Sequence, residues 1–399
     1  MKITKVEVFR LPTANSKKNS PIGCRIHTDT GLSGDGEAGM AYGIGGSAAF
    51  GMVCDLATLI IGMDPLQTEL IWEKMYKRSF WGQNGGPVVF SGIAAIDIAL
   101  WDIKGKYFNA PVYQLLGGKV RDKLRAYASQ LQFGWGQAGV SEHLWAVTPE
   151  DYAYNVKLAV DEGYDAVKLD FFDRYEDGTP IVFLDTTGIL SPKQLSMIEA
   201  RIKAAREAAG DNVDIIMENH SRPDAIGAVQ LAKLAEKYNI MAFEEPNTPS
   251  TQTLEYLTKY TSIPIANGER LFSRWQYAEH FKHNLIQLAQ PDIGNCGGLT
   301  EAKKICDMAH TYDVGIQAHV AGSPLATNVA LHLECSIPNF VIHEHHTCHR
   351  MDTSLGVTKY NLQPEHGYFT VPDLPGIGNE FLQEAIDRAS LYKLVDTAY

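Results

Sequence analysis

Two textures of apolar and polar residues divide the chain. Near the N-terminus, strand-like alternation at 2–11 and again at 22–28 flanks a polar stretch, 13–21, with the composition of a mobile loop. A turn at 31–34 leads into Gly36-Glu37-Ala38-Gly39, which completes a small antiparallel meander. Helical periodicity follows at 48–61, 68–77 and 91–106; in the last, Ile93, Ile96, Ala99, Leu100 and Ile103 share one face. Strands followed by a block of helices predict a separate α+β domain over residues 1–120.

From residue 124 strand and helix alternate. Short β-rich runs fall at 124–131, 166–170, 213–218, 241–245, 263–267, 285–290, 314–319 and 340–344. Amphipathic stretches such as 149–162, 195–209 and 224–238 separate them. This predicts an α/β fold, a (β/α)8 TIM-type barrel over 121–350, with the eighth helix the least distinct. An open doubly wound sheet is the alternative, but no Gly-x-Gly-x-x-Gly follows the first strand. The segment 351–399 is loop-like, carries a late strand at 367–372, and is expected to pack back on the first domain and complete it.

Composition narrows the function. A chain of 399 residues buries a large core, and 35 basic against 47 acidic residues leave a net charge of −12 with no basic stripe. That excludes the usual basis for binding nucleic acid or an anionic membrane, although a metal can still bring an anionic substrate to an acidic protein. Six cysteines without a Cys-x-x-Cys pair make neither a disulfide scaffold nor a zinc ribbon. The N-terminal segment reads as a charged strand rather than a signal peptide, and no run approaches the roughly 20 apolar residues of a membrane span. A cytoplasmic protein is expected.

The candidate chemistry lies at strand ends. Glu218, Glu244, Glu269, Asp292, His319 and Glu344 each close or follow a predicted strand, roughly 25 residues apart, one per β/α unit. In a parallel barrel these ends converge on one face. Singly, a Glu after a strand serves as readily as a helix cap or an ion-pair partner, and a His as a hydrogen-bonded structural residue. Together they would repel. Three carboxylates from consecutive strands raise one another's pKa unless a hard divalent cation joins them, and Mg²⁺ is the expected choice over zinc.

These residues carry a resemblance. Glu218-Asn219-His220, Phe243-Glu244-Glu245-Pro246, Gly268-Glu269-Arg270-Leu271, Gln290-Pro291-Asp292 with Cys296-Gly297-Gly298, and His319 resemble the enolase superfamily over nearly the whole chain. Within it they are most similar to the mandelate racemase subgroup and its gluconate- and galactonate-type sugar-acid dehydratases. The resemblance implies one Mg²⁺ per site held by Glu218, Glu244 (rather than Glu245) and Glu269. It implies that His319 and Asp292 form a dyad in which the carboxylate raises the imidazole's basicity, and that Glu344 binds the substrate's carboxylate. It also implies a homo-oligomer and a small acid sugar as substrate.

The sequence departs from that pattern twice. Lys168-Leu169-Asp170 stands where the subgroup often has Lys-x-Lys, which removes the second-strand base of the racemases. His220 stands where many members have Asn, as in dehydratases whose His assists departure of a hydroxyl. The expected reaction is therefore Mg²⁺-dependent dehydration of an aldonic or related acid to a 2-keto-3-deoxy acid, with His319, Asp292 and His220 catalytic. A racemase, epimerase or cycloisomerase passing through the same enolate is the alternative, and a non-catalytic barrel a third. Lys168, Asp170 and Arg274 are polar candidates for binding substrate. The loop 13–21 and the segments 42–46 and 82–86 are candidate lids, and His343, His345, His346 and His349 are expected to line the pocket rim.

Overall fold

The computed structural model describes residues 1–11, 20–40, 43–135, 145–350 and 356–399. The candidate lid at 13–21 lies outside them apart from Ser20 and Pro21, and so does Tyr42 of the 42–46 segment.

Strands β1 (Ile3–Arg10), β2 (Ile22–Thr28) and β3 (Ser33–Ala38) form the predicted antiparallel meander. Helices α1 (Gly46–Ile60), α2 (Thr68–Arg78) and α3 (Pro87–Tyr107) pack behind it. The sequence of β3, Ser-Gly-Asp-Gly-Glu-Ala, looks poor for a strand, and its glycines explain it. A Cβ on Gly34 or Gly36 would run into the carbonyl oxygens of Ala99 or Ala95 on α3, so only a bare backbone can lie this close to the helix. Every residue of α3 from Phe90 to Leu100 is buried, because the helix packs on β3 and α1 and also on the barrel.

The barrel strands are β4 (Lys123–Ser129), β5 (Ala166–Asp170), β6 (Asp214–Glu218), β7 (Ala242–Glu244), β8 (Ile265–Asn267), β9 (Leu288–Ala289), β10 (Gly315–Ile316) and β11 (His343–His346). They pair in parallel in the order β10-β9-β8-β7-β6-β5-β4-β11, matching the eight predicted runs. The ring closes where Ile316 N donates to Asn339 O and Val341 N donates to Ile316 O, each at 2.8 Å. Tyr127, Ala166, Ile216, Ala242, Ala266, Leu288 and Ile342 fill the barrel floor as one apolar cluster. Two residues further along most of these strands, on the same inward side, stand Ser129, Lys168, Glu218, Glu244, Gln290 and Glu344. Strand periodicity alone thus lifts a polar layer above an apolar one.

Helices α4 (Val112–Leu115), α5 (Pro149–Asp161), α6 (Pro192–Ala209), α7 (Ala225–Ala235), α8 (Thr251–Thr258), α9 (Arg274–Lys282), α10 (Leu299–Thr311) and α11 (Pro324–Ser336) surround the strands. Thr148, Ser191, Ser250, Ser273 and Ser323 cap α5, α6, α8, α9 and α11, which fixes where each loop at the barrel mouth ends. After β11 the described residues hold a 3-10 turn, Thr347–Arg350, in place of a regular eighth helix.

The C-terminal segment divides its contacts. Strand β12 (Tyr368–Thr370) adds antiparallel to β4 of the barrel, where buried Phe369 packs edge-on against the rings of His343 and His345. This part of the segment thus packs on the barrel, where the outward face of β11 needs an apolar cover and Phe369 supplies it. The last strand, β13 (Leu391–Val395), does return, pairing with β1 in the sheet order β13-β1-β2-β3.

Candidate active site

Three glutamates from β6, β7 and the loop after β8 converge at the barrel mouth. Glu218, Glu244 and Glu269 each offer an oxygen, and these oxygens lie within 4.8 Å of one another. Glu244 faces this centre, whereas Glu245, at φ 42°, turns to pair with Arg270. Glu218 Oε1 is buried without a hydrogen-bond partner. Hard oxygen donors at this spacing, one of them unsatisfied, fit a divalent cation.

Lys168 rises from β5 into the same cluster. Its Nζ lies 2.9 Å from Glu218 Oε2 and 2.9 Å from Glu344 Oε1, and it also pairs with Glu244. Burial opposes its charge, but Glu218, Glu244 and Glu344 hold its pKa well above the usual lysine value. Burial and the charge of Glu218 push Glu244 up to about 8. Burial works the same way on Glu344, yet Lys168 and His319 hold that carboxyl below the usual range. Glu344 also accepts from Ser129 Oγ at 2.6 Å and from Val320 N at 2.9 Å, tying β11 to β4 and to the loop after His319.

Two histidine–aspartate pairs flank the glutamates. His319 Nδ1 lies 2.7 Å from Asp292 Oδ2, and its Nε2 lies 3.2 Å from Glu269 Oε2. A carboxylate only accepts, so Nδ1 carries the proton of that bond and Nε2 faces the centre. On the other side, His220 Nδ1 lies 2.8 Å from Asp170 Oδ2, with Nε2 3.8 Å from Glu218 Oε2. Burial opposes charge on both rings. Glu269 and Asp292 nevertheless push His319 up to about 10, and Glu218 and Asp170 push His220 up to about 9. His220 reaches the centre although β6 ends at Glu218: it stands at φ 48° and Ser221 at φ 58°, so a left-handed turn rather than a continued strand aims the ring.

Other predicted positions go elsewhere. Arg274 is a correction. Its Nε lies 3.2 Å from Glu301 Oε1 and its guanidinium stacks over Trp72 and Trp275, on the cap side of α9, so that acidic partner holds it among aromatics rather than at the carboxylate centre. Asp170 faces His220 and Arg222, so it orients a ring rather than presenting a free carboxylate to substrate. Of the four clustered histidines, His343 and His345 point outward to Glu334 and the Tyr164 hydroxyl, each at 2.6 Å, which corrects the idea that all four line the rim. The 82–86 segment is pinned at Asn84, whose N donates to the Tyr76 hydroxyl at 2.9 Å.

Several site residues escaped the sequence reading because they are neutral or sit beyond the strands. Gln130, at φ 64° after β4, donates to Glu218 Oε2 at 2.9 Å, and Gln317 donates to Glu244 Oε2 at 3.1 Å. Arg222 pairs with Asp170 and lies 3.3 Å from Asp173. A search of strand ends for amides as well as charges would have found both glutamines; nothing in the sequence marks Arg222.

A (β/α)8 barrel with a carboxylate cluster and two oriented imidazoles at the C-terminal ends of its strands defines a barrel enzyme. The family described as mandelate racemase / muconate lactonizing enzyme, N-terminal domain, matches residues 4–117, and the enolase C-terminal domain-like family matches 151–385. The chain belongs to the mandelate racemase / muconate lactonizing enzyme family of the enolase superfamily. It is 33% identical to the D-galactonate dehydratase of Pectobacterium atrosepticum over 98% of this chain and 94% of that protein. It is 32% identical to the D-galactonate dehydratase of Ralstonia pickettii, over 95% and 91%. A solved enolase superfamily member from Salmonella Typhimurium is 45% identical, covers 99% of each chain and superposes with a TM-score of 0.94.

Proposed function

We propose that this protein is a hydro-lyase that dehydrates an aldonic or related sugar acid to a 2-keto-3-deoxy acid, with Mg²⁺ as its cofactor, in the cytoplasm. The observation that carries the reading is the pair of imidazoles, each oriented by its own aspartate, on either side of three converging glutamates. The relatives named as D-galactonate dehydratases support the same class of reaction.

Glu218, Glu244 and Glu269 would hold the cation. Bound there, Mg²⁺ supplies Lewis-acid stabilisation of the charge that develops when a carboxylate's α-carbon is deprotonated. His319 takes the C2 proton at Nε2 in its neutral form, while Asp292 holds the proton on Nδ1. That form would be favoured once Glu269 engages a cation, because the carboxylate charge that otherwise keeps the ring protonated is then withdrawn. His220 gives a proton to the departing C3 hydroxyl, which leaves as water. The resulting enol tautomerises to the 2-keto acid, with one proton returned to C3. Asp170 fixes the tautomer and direction of His220 just as Asp292 does for His319. Lys168 offers the ammonium on which the substrate's carboxylate can settle, and Glu344 holds that ammonium in place. Lys168 is engaged with three glutamates, which weighs against a second base of the racemase kind.

The test is to incubate the Mg²⁺-loaded protein in D₂O with a panel of aldonic acids that includes D-galactonate. The expected result is a 2-keto product carrying deuterium at C3. Exchange or inversion at C2 without keto product would replace this reading with the racemase one.

A further inference from the structure

The sheet of the capping domain reaches the catalytic dyad through the end of β3. Glu37 is buried and accepts from both donors of one barrel residue: Ser323 N at 2.8 Å and Ser323 Oγ at 2.5 Å. Ser323 caps α11 and ends the short loop that begins at His319. Two residues beyond Glu37, Gly39 N donates to Gly294 O at 2.8 Å, in the loop that begins at Asp292. The neighbouring Asn295 donates from Nδ2 to Asp292 Oδ2 at 3.3 Å.

Glycines make this approach possible. A Cβ on Gly39 would lie 2.7 Å from the Asn295 side chain, one on Gly294 2.8 Å from Gly39 N, and one on Gly322 2.9 Å from Glu37 Oε1. Glu37, Gly39, Asp292, Gly294 and His319 also line one small cavity between the two domains. One strand end therefore grips both loops whose side chains make the dyad.

We propose that Glu37 is a positioning residue for the His319–Asp292 pair, with Gly39 as its second point of attachment. The capping domain would then set the geometry of the base as well as covering the barrel. The loop after His319 also carries Val320 N to Glu344, so a slip of the Ser323 anchor moves the imidazole and the Glu344 contact together. A grip of hydrogen bonds rather than charge survives Gln at 37, which keeps an acceptor for Ser323 N and offers a donor to the Ser323 hydroxyl. Burial pushes the Glu37 carboxyl up to about 7, so a neutral amide is a fair substitute near neutral pH.

This inference rests on the reading of His319 as the base, and its test has one arm that needs no substrate. In the ¹⁵N-histidine NMR spectrum of the Mg²⁺-loaded protein, the His319 Nδ1 proton reports the bond to Asp292. Glu37→Ala should speed its exchange with solvent by about tenfold or more, and Glu37→Gln should leave it protected. On whichever acid the wild type dehydrates, Glu37→Ala should lower kcat by about 10- to 100-fold with KM little changed, while Glu37→Gln stays within about threefold. Ser323→Ala, which keeps the backbone donor, should fall between them and serves if Glu37→Ala fails to fold. Gly39→Ala should lower kcat through Asn295. A Glu37→Ala protein with wild-type kcat and a protected His319 proton would overturn the proposal. So would a Glu37→Gln protein as deficient as Glu37→Ala. If the wild type turns over no acid in the panel, the proposed reaction falls, and the NMR comparison still decides the proposal for Glu37.

Discussion

At the seam where the cap meets the barrel and the C-terminal segment, Asp35, Glu37, Asp97 and Asp102 are buried like Glu218 and Glu244 of the barrel mouth, but their surroundings differ. Asp97 accepts from Thr300 N at 2.9 Å and Thr300 Oγ1 at 2.6 Å, where α10 begins. Asp102 accepts from Ile377 N and Asp35 N, and Asp35 accepts from Phe381 N. Each seam carboxylate takes at least one backbone amide, which fixes a chain crossing. At the mouth three carboxylates crowd one centre, Glu218 keeps an orphaned oxygen, and the compensating charge comes from Lys168 and two imidazoles. The seam spends its acids on holding domains together. The mouth keeps its acids in mutual repulsion, which a dication would relieve.

Substitutions should separate the two regions. The largest effect is expected at the mouth: Glu244→Gln should remove measurable Mg²⁺ binding in calorimetry and lower turnover by about 10³-fold or more, since it deletes a ligand charge. His319→Asn should lower α-proton exchange into D₂O by about 10²- to 10⁴-fold, the range of a lost general base, while leaving Mg²⁺ binding in place. Asp170→Asn should cost about 10- to 100-fold in kcat, because His220 loses the carboxylate that orients it.

The smallest effect belongs to the seam and appears as a pH dependence of stability. Burial pushes Asp97 up to about 7, against the hydrogen bonds from Thr300. The folded chain therefore keeps a proton that the unfolded chain has already released. The stability this gives is fully present below about pH 4 and is lost as the pH rises through about 7, a change of roughly 4 kcal/mol for this group. Asp97→Asn, with turnover nearly unchanged, should flatten that stretch of the curve in urea unfolding between pH 4 and 8. An unaltered slope would mean that Asp97 ionises normally in the folded protein.

The same contrast explains what the sequence disclosed. Short β-rich runs marked all eight barrel strands, and ionisable groups recurring in phase at six strand ends pointed to Glu218, Glu244 and Glu269 as neighbours. Regular geometry repeats, so spacing reveals it. The turn that aims His220 and the left-handed Gln130 leave no periodic trace, because each depends on a single residue's φ rather than on a pattern. Arg274 misled for a related reason: polarity makes a residue a candidate for binding substrate, and a buried partner such as Glu301 decides which way it faces. The seam was illegible because Asp97 and Thr300 are far apart in sequence and meet only when the domains dock.

The most direct test of the account is the anomalous difference map of crystals soaked in Mn²⁺, an oxygen-seeking substitute for Mg²⁺. One strong peak bonded to oxygens of Glu218, Glu244 and Glu269, at about 2.1–2.2 Å, with Lys168 released from Glu244, is the predicted result. A peak elsewhere, or those three side chains left as they stand with Lys168 still between them, would contradict it.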